Sequence, residues 1–99
     1  MSELLGKKYV IHPLCVAKAF LVGRMMDRWS VDELRERIWE LINEGCVPET
    51  EAYFDLQSAT KLLWESKFEP SPVEKENMVR RAKSLIERAF NRLKTYYGV

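Results

Sequence analysis

Apolar residues recur at three- and four-residue steps from Pro13 to Tyr97, and this spacing predicts helices rather than strands. The first run, "LCVAKAFLVGRMM" at positions 14 to 26, holds ten apolar residues, one glycine and two charges, Lys18 and Arg24. Proline is tolerated in a first helical turn, where its missing N–H has no intrahelical partner, so the helix is placed at about 13–28. Its apolar positions cover most of the circumference, which marks a helix covered on several sides.

The second helix, at about 31–44, has the clearest start. In "WSVDEL", Ser30 is the N-cap and Glu33 closes a capping box, with Trp29 placed to staple onto Leu34. Val31, Leu34, Ile38, Leu41 and Ile42 share a face, Trp39 lies at its margin, and Gly45 ends the helix in a left-handed turn. A third helix at about 49–67 carries the stripe Ala52, Leu56, Ala59 and Leu63, widened by Tyr53, Phe54, Leu62 and Trp64. Pro70 and Pro72 then interrupt the chain. The fourth helix, at about 72–97, opens with Ser71 as N-cap, Pro72 as its first residue and Glu74 closing a second box. Its seam alternates Val79, Ile86 and Leu93 with Ala82, Ala89 and Tyr96, and Gly98 stops it. Short connections place consecutive helices side by side in opposite directions. The expected fold is one all-α domain, an antiparallel four-helix bundle, preceded by a short arm at residues 1–11. "KKYVI" has β-type residues but is too short to build a sheet.

The first helix poses the main question, because each helix of a bundle normally keeps a polar face. A membrane span needs roughly twenty predominantly apolar residues, more than this run supplies. Two alternatives remain. The other helices wrap it as a central helix, or one of its faces meets a second chain. Gly23 in mid-helix costs roughly 1 kcal/mol against alanine, which close approach of another helix would offset.

Composition narrows the class. Of 99 residues, 46% are hydrophobic and 31% charged, so the chain can build a core and is not expected to be disordered. Gln57 is the sole glutamine, and Asn43, Asn77 and Asn91 are the only asparagines, a balance that leans toward a thermophilic source. The start "MSELLGKKYV" is charged and has no signal-peptide core. Two cysteines, Cys15 and Cys46, make no disulfide framework. The cytoplasm is the default compartment, and a single bridge between the two stays open.

Net charge is +1, but unevenly spread: residues 71–99 hold seven Lys or Arg against three Glu. Arg80, Arg81, Arg88 and Arg92 could track a phosphate backbone. The same residues could instead pair with the acidic face of the second helix (Asp32, Glu33, Glu36, Glu40, Glu44), and basic residues also suit the C-terminal half of any helix. A helix-turn-helix is disfavoured because its reading helix would open "PETEAYFD", presenting acids to phosphates.

No metal-ligand spacing, phosphate loop, dinucleotide fingerprint or nucleophile elbow is present. In "HPLC", His12 could assist a Cys15 thiol at the positive end of the first helix, although a packed cysteine is the plainer reading. No cofactor is called for. The leading expectation is a non-catalytic helical interaction module that docks to itself, as a homo-oligomer, or to another protein. Its apolar surface lies on the first and fourth helices, with Phe20, Gly23, Trp39, Ile86, Leu93 and Tyr97 as contact residues. The alternative is a nucleic-acid-binding accessory protein using the basic face of the fourth helix.

Overall fold

The computed structural model describes residues 13–98. The N-terminal arm, with "KKYVI" and His12, lies outside them. Four helices follow in order: α1 (Pro13–Met25), α2 (Val31–Asn43), α3 (Thr50–Ser66) and α4 (Pro72–Tyr97). They pack as a helical bundle in which α3 and α4 share the largest contact, followed by α2 with α3, α1 with α2, and α1 with α4. The contacts therefore close a ring. Cross-helix pairs fix the directions: Arg88 meets Asp55 while Arg92 meets Glu51, and Arg35 meets Trp64 while Asp32 meets Lys67. Rising numbers on one helix face falling numbers on the next, so neighbours are antiparallel.

Side-chain capping sets the boundaries. The Ser30 hydroxyl accepts from the Glu33 N–H at 3.1 Å, and the Ser71 hydroxyl accepts from the Glu74 N–H at 3.3 Å. α3 is capped by the Glu49 carboxylate, which accepts from the Ala52 N–H at 2.8 Å. α1 stops at Met25, earlier than its apolar run suggests, because the Met25 carbonyl accepts from both Arg28 and Trp29 in a closing turn. α2 ends in a Schellman motif: Gly45 takes φ 74°, its N–H donates to the Ile42 carbonyl, and the Cys46 N–H donates to the Leu41 carbonyl. That left-handed step turns Cys46 into the interior, where it bridges Cys15 with a Cα–Cα separation of 5.2 Å.

The core follows the helical stripes. Leu34, Ile38 and Leu41 from α2, Ala52, Leu56, Ala59 and Leu63 from α3, and Ala82, Ile86, Ala89 and Leu93 from α4 are closed to solvent. Four of these are alanines on α3 and α4, and small side chains let two helix axes approach closely, in keeping with the extent of that pairing. Two polar side chains are buried with them, and both are satisfied locally: Thr60 donates to the Gln57 carbonyl and Ser66 to the Leu63 carbonyl. Truncating a residue such as Ile86 to alanine would cost about 2–5 kcal/mol through lost burial and a residual cavity.

α1 behaves differently. It buries one stripe, Cys15, Ala19 and Val22, which Met26 continues in the turn just past its end. Three of its large apolar side chains are exposed instead, Leu14 at 59%, Phe20 at 43% and Leu21 at 44%. The central-helix alternative is thereby overturned. In a ring of four helices each element has two neighbours, so α1 rests on α2 and α4 and keeps an outward side.

Candidate functional site

The uncovered side of α1 runs into a groove of about 570 Å³ between α1 and α4. Ala19, Phe20, Gly23 and Met26 form one wall; Phe90, Leu93 and Tyr97 form the other. Arg24, Glu87, Asn91 and Lys94 stand on its rim. The lining is mainly apolar because the seam of α4 continues outward from Ile86 and Ala89 to Phe90, while α1 brings small residues opposite it. A Cβ placed on Gly23 would lie 3.6 Å from Cδ2 of Phe90, an ordinary contact. The glycine thus leaves a notch that Phe90 overlooks, rather than a seat for a tightly crossing helix.

Tyr97 closes the end of the groove nearest the bridge. Its hydroxyl donates to the Cys46 carbonyl at 2.8 Å, and burial pushes its pKa above the usual tyrosine value. The Schellman turn carries the chain off the end of α2, and Tyr97 in the last turn of α4 reaches the Cys46 carbonyl there.

Of the six residues expected to make contacts, Phe20, Gly23 and Tyr97 converge on one groove, with Leu93 buried at its floor. Two of the six are corrected by burial. Ile86 is 0% exposed and lies in the core away from the groove, and Leu93, 1% exposed, belongs to the core beneath it rather than to the exposed surface. Their heptad position faces the bundle interior, and the groove opens one position further round α4. Trp39 is 38% exposed and sits elsewhere, in a shallow cleft between α2 and α3 with Arg35, Gln57, Ser58, Lys61 and Trp64. There Arg35 and Lys67 lie over the Trp64 ring at 4.8 and 5.0 Å, a cation–π arrangement on a surface patch. Phe90, Glu87 and Lys94 were not singled out by sequence reasoning. The available signal was their spacing: Phe90 follows Ile86 by four residues, and Glu87 and Lys94 are a heptad apart.

The basic stripe of α4 is largely committed within the chain. Arg88 makes a two-pronged pair with Asp55, at 2.8 and 3.0 Å, and the Asp55 carboxylate raises the Arg88 pKa. Arg92 pairs with Glu51, Lys83 with Asp27, and Arg80 with Glu76 and Asn77. Arg81 is exposed and makes no ion pair among the described residues. The acids that answer α4 come chiefly from α3, not from the acidic face of α2, because α2 is not a ring neighbour of α4.

Cys15 has no thiol to offer, since its sulfur is bonded to that of Cys46. The idea of Cys15 chemistry assisted by His12 is set aside on that ground, and His12 itself lies outside the described residues. Among the described residues, no group of three or more His, Cys, Asp or Glu is placed to hold a metal ion. No described helix is long and apolar enough to cross a membrane.

Fold and groove together define the class: an all-α helical bundle with an open apolar groove between its first and last helices. Comparison with protein-family models, with curated proteins and with solved structures finds no match for the chain.

Proposed function

We propose that this chain is a non-catalytic helical interaction module that docks to itself or to another protein through the α1–α4 face. The observation that carries the reading is Phe20, a large aromatic side chain 43% exposed at the lip of an apolar groove. Contiguous apolar surface rimmed by polar residues is the usual form of a protein-docking site. Phe20 supplies an aromatic anchor, Gly23 a notch, Phe90 and Tyr97 the opposing wall, and Arg24, Glu87 and Lys94 a charged rim that orients the arriving surface. The bridged cysteines suit either an oxidising compartment or the cytoplasm of a thermophile, and the scarcity of glutamine and asparagine favours the second.

A photo-crosslinking residue placed at position 20, with the same residue at exposed Lys75 as control, tests the reading in cells. Adducts specific to position 20 support it. Equal yields at both positions, or none, refute it.

A further inference from the structure

Resting on that docking reading, we infer that the occupant of the α1–α4 face is a second copy of this chain, bound about a two-fold axis with the two α4 helices antiparallel. The carrying observation is the arrangement of charge on the groove rim. Glu87, Asn91 and Lys94 form one exposed stripe along α4, at steps of four and three residues. Glu87 and Lys94 line the groove, and neither makes an ion pair among the described residues. The basic residues on the opposite flank of the same helix, Arg88 and Arg92, are taken by Asp55 and Glu51. The α4 side of the rim therefore presents an acid and a base of its own, about 10 Å apart along the helix with a neutral asparagine between them, and Arg24 stands on the α1 side.

Such a stripe is complementary to itself in one orientation only. A two-fold axis passing beside Asn91 sets Glu87 of each copy against Lys94 of the other, two reciprocal pairs from one symmetry operation. A parallel arrangement sets Glu87 on Glu87 and Lys94 on Lys94, which repels. Heptad-spaced charges flanking an apolar seam choose partner and direction in this way in paired helices. The apolar part of the interface comes from what lies beside the stripe: Phe90 on α4 and Phe20 on α1. Phe20 is exposed, and Phe90, though it packs against the core, is only partly buried.

Sedimentation equilibrium on the full chain with its bridge intact is the test, over a concentration series reaching high micromolar. The expected result is a mass rising from the 11.7 kDa of one chain to twice that value. Glu87→Lys and Lys94→Glu each lose both reciprocal pairs and place like charges together, so each raises the dimer Kd about tenfold or more. The double variant, carrying both changes, restores the pairs in reversed sense and returns the Kd to within about threefold of the original. Both positions are exposed, and thermal melting followed by circular dichroism verifies that every variant is folded.

A one-chain mass throughout the series overturns the inference. So does a dimer indifferent to the single changes, or a double variant that fails to recover. The position-20 crosslink separates this failure from failure of the docking reading. An adduct with a different protein, alongside a monomeric mass, refutes the second copy alone, whereas absence of adducts refutes both.

Discussion

The Tyr97 hydroxyl hydrogen-bonds the carbonyl of Cys46, 51 residues earlier in the chain. This single contact ties the last turn of α4 to the loop between α2 and α3, and Cys46 is in turn bridged to α1. Three elements meet at one residue. Tyr97→Phe keeps the ring on the groove wall and removes only the donor, leaving the carbonyl of buried Cys46 without this partner. The expected loss is about 1 kcal/mol, a fall in Tm of roughly 4–8 °C in a domain of this size.

The same tyrosine gives an alkaline signature. Its folded pKa is raised by burial, so the folded state holds its proton to higher pH than the unfolded chain does. The stability linked to Tyr97 is complete below the ordinary tyrosine pKa of about 10 and is lost as pH rises through the raised folded value. Absorbance of tyrosinate near the red edge should show one of the four tyrosines ionising late in the folded protein. In Tyr97→Phe that late step should vanish, and stability should decline less steeply above the ordinary value.

Reducing the Cys15–Cys46 bridge should destabilise the fold by about 3–4 kcal/mol, as expected for closure of a loop spanning 31 residues. Denaturant melts with and without reductant measure this, and Cys15→Ser with Cys46→Ser should match the reduced protein. The folded, unreduced chain should show no thiol reactive toward an aromatic disulfide reagent. A reactive thiol under those conditions would contradict the bridge.

Gly23→Ala should raise stability by up to about 1 kcal/mol. Alanine is the better helix former, and its methyl group would meet Phe90 at an ordinary distance. Since that methyl group also fills the notch in the groove wall, the same variant should weaken self-association. A higher Tm together with a higher dimer Kd is the paired outcome to look for by calorimetry and sedimentation.

Asp32 links α2 to α3 through Lys67 at 2.9 Å, with Arg35 alongside at 3.7 Å. The hydrogen bond from Lys67 is the main cause holding its carboxyl below the usual aspartate value of 3.8. A lowered folded pKa contributes stability above that value, and the contribution is lost as pH falls through the folded pKa. Asp32→Asn should therefore flatten the acid limb of a stability–pH profile while changing the neutral plateau little, as befits an exposed pair.

Local signals carried the fold. Ser30 with Glu33, Ser71 with Glu74, and the glycines at 45 and 98 state where helices begin and end, and the caps lie where these residues put them. The stripe Ala52, Leu56, Ala59 and Leu63 specified a buried face because helical periodicity alone decides which side chains point one way. What periodicity cannot give is which of two apolar sides a helix buries once several exist. On α1 it was Cys15, Ala19 and Val22, and that choice depends on the ring order of all four helices. For the same reason Ile86 and Leu93 read as a contact seam although they are the core: a seam looks alike whether its partner is α3 or another molecule. Pairings distant in sequence, such as Cys15 with Cys46 and Arg88 with Asp55, leave no trace in local spacing. The acidic and basic halves were visible, but the helix that would answer α4 was not.

The two ends of the bundle are fastened unequally. One end carries the covalent bridge and the Tyr97 hydrogen bond. At the other, residues 72–77 of α4 are all exposed beyond the α3–α4 turn. Thermal breathing must therefore run as a gradient. Amide protons around Val73 to Asn77 exchange first, and those around Leu41 and Leu93 hold out until the whole molecule opens.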